Sequence, residues 1–484
     1  MVKKVKVEIQ EPSQKPKSLL DLFYKPNKIY QARVRGKFRL TKWVIMYPLL
    51  ALYYGLPWLR WDRGEGVPDQ AVMWDTAGRK LYFFFIEIWP QEVYIFTGLL
   101  LLAALSLFFF TTLFGRVWCG YTCPQTVWTD LFFIIERRIE GDRHRRKRLD
   151  AEPWSFRKIR LKVTKHFLWI LISVCTGGAW VFYFTDVPTF WSDLSHGDIS
   201  TTSAFWIALL TCSTYVLAGF AREQVCTFMC PYARFQGAMF DKNTLIVSYD
   251  EKRGEPRGKK GGSEGDCIDC GRCVAVCPTG IDIRNGQQYQ CINCALCIDA
   301  CNEVMEKVNQ PLGLIRYNSE NNRISENLSL VGASTKLKLI RPRTLIYAGL
   351  IIAVMSILTF SMTRGRTLVE MNVLHSRNPL FIKLSNGDIR NVYTLRFVNK
   401  QHKDIDLKLS LDGLENAKLH IPRISHELST TMLLPVNAGS VATFKVFVEK
   451  SGALAEHGRH NVTFKITSDS FNDTYETYFM GPKQ

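Results

Sequence analysis

The chain has 484 residues, a formal net charge of +18, 14 cysteines and 47% hydrophobic residues. At about 150 residues per domain, this length holds roughly two to four units large enough to bury cores without disulfide staples, so the cysteines need another explanation. Composition excludes a disulfide-stapled miniprotein, a collagen and a wholly disordered chain, and leaves a membrane protein, a metalloprotein or a nucleic-acid binder.

Mean hydropathy is close to zero, but that average hides long apolar runs. Residues 1–38 come first as a basic segment with ten Lys/Arg and three acidic residues. The segment lacks the short apolar core and small-residue cleavage site of a signal peptide. Five apolar segments follow, at roughly 40–59, 90–114, 166–185, 203–221 and 344–362. A helix of about 20 such residues crosses about 30 Å of hydrocarbon. The second is the clearest, running uncharged from Val93 to Phe114, whereas the first and fourth are weaker because they contain Pro48, Gly55 and several Thr and Ser.

The loops between these segments differ in charge. Residues 115–165 hold 13 Lys/Arg, 60–87 hold four, and 186–202 hold none but carry Asp186, Asp193 and Asp198. By the positive-inside rule, the N-terminus and the 115–165 loop are cytoplasmic, and five crossings put the C-terminus outside the cytoplasm. The basic excess is then a topology signal, and its partner is membrane lipid. Nucleic acid is not an expected partner, because that reading needs a basic face with aromatic or groove-reading elements.

Two cysteine pairs sit at the cytoplasmic ends of spans: Cys119-Gly-Tyr-Thr-Cys123-Pro124 after the second and Cys226-Thr-Phe-Met-Cys230-Pro231 after the fourth. Each is followed by a glutamine, Gln125 and Gln236. The pattern reads as a weak internal repeat. If helical, cysteines four apart share a face, and the four thiols converge between the spans. Soft thiolates favour Cu(I), zinc or iron–sulfur, and a redox dithiol is also open. Buried free cysteines are the plain alternative, which two equivalent pairs disfavour. Cys175 and Cys212 are single, lie inside spans, and are expected to pack there.

Eight further cysteines fall at Cys267, Cys270, Cys273 and Cys277, then Cys291, Cys294, Cys297 and Cys301. Cys-x2-Cys-x2-Cys-x3-Cys in tandem is the bacterial two-cluster ferredoxin spacing, in which the fourth cysteine of each run serves the other cluster. One [4Fe–4S] cluster is therefore expected on Cys267, Cys270, Cys273 and Cys301, and a second on Cys291, Cys294, Cys297 and Cys277. Paired zinc sites rarely show three ligands at x2 spacing followed by x3 in both halves. The first run ends Cys277-Pro278 and the second Cys301-Asn302, a difference that touches only local backbone shape. Of nine histidines, only His166 lies near a span, so a bis-histidine haem is not expected. No nucleotide-binding motif is present.

After Arg364-Gly-Arg366 the texture changes to short alternating runs at 367–374, 389–398, 405–411, 442–448, 462–466 and 475–480, with turn signals such as Asn386-Gly387. Evenly spaced short strands predict an immunoglobulin-like β-sandwich, read as a docking or spacer domain. The expected architecture is thus a multi-domain membrane protein. It has a basic cytoplasmic N-terminus (1–38) and four helices of a five-helix transmembrane bundle with both Cys-x3-Cys-Pro motifs (39–249). A two-cluster ferredoxin-like α+β domain (250–320), a connector with the fifth helix (321–363) and a C-terminal all-β sandwich (364–484) follow.

This order of parts, with the Ile139-Glu-Gly-Asp-Arg143 loop, resembles the cytochrome c oxidase accessory protein family of CcoG, FixG and RdxA type, which are membrane-bound polyferredoxins. The resemblance covers nearly the whole chain. The ferredoxin motif alone is unspecific, but the combination is specific. The resemblance implies a multi-pass bacterial inner-membrane protein, its C-terminal domain periplasmic, that helps assemble the cbb-type haem–copper oxidase. It also implies an oxidoreductase activity, cupric reduction, that supplies Cu(I). Carried over are the eight ferredoxin cysteines as cluster ligands and Cys119, Cys123, Cys226 and Cys230 as catalytic and copper-binding residues. The implied partners are oxidase subunits or copper chaperones and a cytoplasmic electron donor; self-association into a homo-oligomer stays open. Two other readings remain: a quinol dehydrogenase-like membrane ferredoxin, and a non-catalytic assembly scaffold with structural or sensing clusters.

Overall fold

The computed structural model describes residues 28–64, 66–258, 265–323, 339–364, 367–422, 425–451, 458–468 and 471–482. Most of the basic 1–38 segment, residues 259–264 of the 250–320 segment and much of the connector lie outside them. The chain forms two compact units, Met1–Ile357 and Leu358–Gln484.

In chain order the helices are α1 (Lys37–Gly55), α2 (Val93–Phe114), α3 (Val117–Tyr121), α4 (Pro124–Ile139), α5 (Arg143–Ala151), α6 (Phe156–Val181), α7 (Val187–His196), α8 (Thr201–Val216), α9 (Arg222–Gln224), α10 (Pro231–Met239), α11 (Glu251–Gly254), α12 (Arg272–Val276), α13 (Leu296–Lys307) and α14 (Pro342–Arg364). All five apolar segments are helical. Three are long and apolar enough to cross a membrane: Pro90–Phe114, Thr201–Met229 and Pro342–Thr363. In α1 and α6 charge occupies the first turns, with Lys37, Arg39 and Lys42 in one and Arg157, Lys158, Arg160, Lys162 and Lys165 in the other.

The loops at one end of the helices, joined by Arg60 to Asp186 and by the Trp74 N–H to Tyr183 O, hold structure that hydropathy did not predict. Residues 72–88 form a small antiparallel sheet, β1 (Val72–Asp75), β2 (Lys80–Phe83) and β3 (Ile86–Ile88). Helix α7 carries its apolar residues Val187 and Phe190 inward. The helices α4 and α6 and the π-helical turn Leu217–Ala221 after α8 pack through Phe132, Ile135, Trp169 and Ala218, with the Phe132 and Trp169 rings stacked 5.0 Å apart. Cys175 and Cys212, expected to pack inside, are instead exposed on the bundle's outer face.

The cysteine-rich segment is closed by an antiparallel pair, β4 (Ile246–Tyr249) with β5 (Ile315–Asn318). Residues 28–36 thread onto this segment. The Ala32 N–H donates to Ala275 O at 2.8 Å, and the Asp299 carboxylate caps α1 by accepting from the N–H groups of Phe38 and Arg39. This contact fixes the first helix to the ferredoxin-like segment.

The second unit is a sandwich of two antiparallel sheets. Its strands are β6 (Val369–His375), β7 (Ile382–Lys383), β8 (Ile389–Asn399), β9 (Ile405–Asp412), β10 (Lys418–Ile421), β11 (Ser425–Ser429), β12 (Thr431–Val436), β13 (Val441–Lys450), β14 (Arg459–Ser468) and β15 (Phe471–Met480). One sheet runs β11-β10-β13-β8-β6 with β7 on β8, and the other β12-β9-β14-β15. Strand β8 alternates buried and half-buried residues, as a strand with one face on a core must. Tyr393, Phe397, Phe464 and Phe479 fill the space between the sheets. The Tyr393 hydroxyl ties β8 to β15 by donating to Tyr478 O at 2.7 Å.

Candidate metal centre

The eight tandem cysteines line two cavities. Cys267, Cys270, Cys273 and Cys301 line the first, with Tyr249, Arg284 and Met305. Cys277, Cys291, Cys294 and Cys297 line the second, with Thr279, Ile281 and Ile283; Cys273 also borders it. Each set is three cysteines of one run and the fourth of the other.

Backbone conformation explains how both runs wrap a cavity. In the first, Asp269 and Gly271 flank Cys270 with positive φ of 51° and 61°; in the second, Asn293 and Ala295 flank Cys294 with 51° and 59°. Gly, Asp and Asn tolerate this left-handed region, whereas Ala does so at a cost. Alternating hand turns successive N–H groups to one side, making a concave nest of the kind that holds iron–sulfur sulfurs and other anions. Burial pushes the Cys273 and Cys294 thiols up to about 11 and those of Cys291 and Cys301 to about 12. As bare groups they hold their protons; iron replaces the proton and supplies the missing positive charge. Three thiols of one run and the fourth of the other around each cavity suit the shared ligand pattern of a two-cluster ferredoxin.

The two Cys-x3-Cys-Pro motifs are not continuous helical turns. Cys119 lies in α3 and Cys123 is the extended residue before α4; Cys226 lies in a π-helical turn, Val225–Met229, and Cys230 is the extended residue before α10. Each motif proline takes the first position of the new helix, where its missing N–H costs nothing, and forces the residue before it out of the helix. The expected shared face is therefore replaced by a corner in both halves.

The corners are joined reciprocally. Gln125, after the first motif, donates to Leu217 O at 2.8 Å and Arg222 O at 3.2 Å, just ahead of the second. Gln236, after the second, accepts from the Cys119 thiol at 3.3 Å. Burial pushes the Cys119 thiol up to about 12, with Cys123, Cys226 and Cys230 adding to the shift and Arg116 opposing it. The four sulfurs are thus within electrostatic reach of one another. Burial also raises the Cys123 thiol, partly offset by backbone N–H groups of Thr126 and Gln125 at the start of α4.

The motifs abut the second cavity. A Cβ on Gly120 would lie 2.7 Å from Ile292 O and 3.1 Å from the Cys294 backbone, so only glycine lets α3 approach this closely. The Tyr121 hydroxyl donates to Cys294 O at 3.2 Å. Arg116 donates to Tyr289 O and to Ala233 O, and its guanidinium lies over the Tyr289 ring. Cys226 lines a further cavity with Gln125, Lys42 and, from the ferredoxin-like segment, Pro278 and Ile292.

Sequence reading did not find the supporting charges. Glu136 is buried between Arg146 at 2.8 Å and Arg222 at 2.6 Å. Burial pushes its carboxyl up, but Arg222, Arg146 and Lys165 outweigh that and hold it below the usual range. Arg39 pairs with Asp130 at 2.8 Å, both nearly inaccessible. Arg222 has a positive φ of 34° between two π-helical turns, Leu217–Ala221 and Val225–Met229. Such turns and strained residues concentrate at functional sites.

Fold and site together define a membrane protein with two ferredoxin-type cavities and an added thiol corner. A 4Fe-4S dicluster domain matches residues 221–320, a 4Fe-4S binding domain 96–141, and an IG-like fold at the C-terminal of FixG 359–482. The chain is 44% identical over 495 residues to nitrogen fixation protein FixG of Rhizobium meliloti, covering 95% of this chain and 94% of that protein. Cereibacter sphaeroides RdxB is 47% identical (90% and 92% covered) and RdxA of the same organism 45% (87% and 88%). The chain belongs to the FixG/RdxA/CcoG family. It is a membrane iron–sulfur electron-transfer protein that carries two [4Fe–4S] clusters.

Proposed function

We propose that this chain reduces Cu(II) to Cu(I) for the copper site of a cbb-type oxidase, with Cys119, Cys123, Cys226 and Cys230 as the thiols that receive copper. In this reading Cys267, Cys270, Cys273 and Cys301 hold one cluster, and Cys277, Cys291, Cys294 and Cys297 the other. When bound, the clusters supply one-electron transfer. Everything else is placement by the chain. Cys270 is exposed at the first cavity, which favours entry of electrons there from a cytoplasmic donor. Gly120 and Tyr121 hold α3 against the second cavity. Cu(II) gains one electron, the donor loses one, and the thiolates favour the Cu(I) product because they are soft ligands.

The observation that carries this reading is the close packing of the first Cys-x3-Cys-Pro corner on the Cys294 backbone. Five crossings of a bacterial inner membrane belong to the same reading. The N-terminus and cluster segment are then cytoplasmic and the sandwich periplasmic, following the loop charges. The test is Cu(II) reduction by purified protein with all four corner cysteines changed to Ser. The expected result is loss of Cu(I) formation with iron content unchanged. An unaltered rate with intact clusters removes these thiols from the mechanism. Cluster reduction by quinol, with no copper turnover, would point instead to quinol dehydrogenation.

A further inference from the structure

A groove of ≈ 670 Å³ opens beside the start of α1, within the range of ligand sites, roughly 300–1,000 Å³. Six arginines line it (Arg33, Arg35, Arg39, Arg137, Arg138 and Arg145) against one carboxylate, Asp142. The copper chemistry uses none of them. Asp142 is engaged by the backbone N–H of Arg33 at 3.0 Å, and Asp130 is paired with Arg39 and also faces Lys42 and Arg137. Among the described residues, no ion pair joins Arg35, Arg137, Arg138 or Arg145 to a carboxylate. Burial, with Arg39 and Arg146 nearby, pulls the Arg137 guanidinium down to about 10, although Asp130 and Asp142 oppose the shift. Such crowding of like charge is relieved by an anion.

Arg39, a residue 3% exposed, forms the floor of the groove, its guanidinium over the Trp43 ring. The other wall is apolar. Leu40, Trp43 and Tyr47 follow each other at three- and four-residue spacing on α1, which puts them in one stripe, and Ile134 also lines the groove. Leu40 and Tyr47 are 61% and 55% exposed. A small soluble anion gains nothing from that wall, but an amphiphile gains from both.

We propose that this groove binds an anionic phospholipid, with its phosphodiester among the arginines and an acyl chain along Leu40, Trp43 and Tyr47. Basic pockets at the cytoplasmic ends of membrane helices select such headgroups, and the planar fork of arginine suits phosphate oxygens. The proposal needs α1 to enter a bilayer and is independent of the copper reading.

The test is native mass spectrometry of the full-length protein in zwitterionic detergent, titrated with phosphatidylglycerol or phosphatidylcholine. Wild type is expected to retain phosphatidylglycerol preferentially. The pair Arg138→Gln and Arg145→Gln is expected to weaken retention about 25-fold, at about fivefold per arginine. The pair Arg157→Gln and Arg160→Gln removes the same charge from the exposed first turn of α6 and is expected to change nothing. Iron content reports folding; if the groove pair lowers it, Leu40→Gln, a polar change in the exposed apolar wall, is read in its place and is expected to weaken retention several-fold. Equal retention by the groove variant, no preference over phosphatidylcholine, or displacement by inorganic phosphate would overturn the proposal, the last by assigning the groove to a soluble anion.

Discussion

All 14 cysteines lie in the first unit, between Cys119 and Cys301, and the β-sandwich has none. Buried charge is densest in the first unit too, although the sandwich buries Lys400, paired with Glu370, and Glu449, paired with Arg390. Arg39, Lys42, Asp130, Glu136, Arg146, Lys165 and Arg222 are nearly inaccessible in the first unit, whereas the core between the sheets is apolar apart from groups such as Asn391, which exchanges hydrogen bonds with the Met480 backbone. The core between the sheets is explained by packing. The first unit accepts desolvated ions, left-handed non-glycine residues and π-helical turns, each costing about 1–3 kcal/mol or more. Those costs gather around the cysteines, which is why the chemistry is assigned there.

The largest expected effect is on metal content. Cys294→Ser removes a ligand of the second proposed cluster and should lower bound iron by about half, measured by metal analysis of anaerobically purified protein; the sandwich, isolated by limited proteolysis, should melt as before. Next is the charge network. Glu136→Gln leaves Arg146 and Arg222 facing each other in a dry site, and should cost about 3–5 kcal/mol by thermal or denaturant unfolding. The matched change in the sandwich, Asp412→Asn at the exposed pair with Lys465, should cost under about 1 kcal/mol. Equal costs would break the comparison.

Gly120→Ala sharpens the comparison within the first unit. It drives α3 off the Cys294 backbone and should slow Cu(II) reduction between about 10- and 100-fold with little loss of iron. Acid separates packing from charge more gently. The Glu136 and Asp150 carboxyls are both held below their ordinary values, 4.5 and 3.8, by cations that outweigh burial. Their contribution is complete above those values and fades as pH falls below them, so melting of the first unit should drop from about pH 4.5 downward. The smallest expected effect is Ala295→Gly, which relieves a positive φ of 59° and should change stability by less than about 1 kcal/mol, because the gain is offset in the unfolded chain.

Much of this was legible in sequence. The x2-x2-x3 spacing named the sets that line the two cavities, because ligand geometry is local and leaves a fixed interval. The six alternating runs all fall on strands of the sandwich, but β7, β10, β11 and β12 went unread. They are short or interrupted, as by Pro435 in β12, and are held by cross-strand pairing. Motif prolines Pro124 and Pro231 signalled the corner that the expected helical turn ignored. The charge network was invisible because Glu136 and Arg222 are 86 residues apart and meet only through tertiary packing. The glutamines were noticed by position, but their reciprocal bonds were not predictable from it.

The most direct measurement is rapid mixing of the anaerobically reduced, full-length protein with Cu(II), following cluster absorbance and Cu(I) together. The account predicts that the clusters reoxidise as Cu(I) forms, about two per chain for two one-electron clusters, and that changing Cys119, Cys123, Cys226 and Cys230 to Ser abolishes both signals while iron stays bound. Fast Cu(I) formation in that variant, or reoxidised clusters without Cu(I) in the wild type, would contradict it.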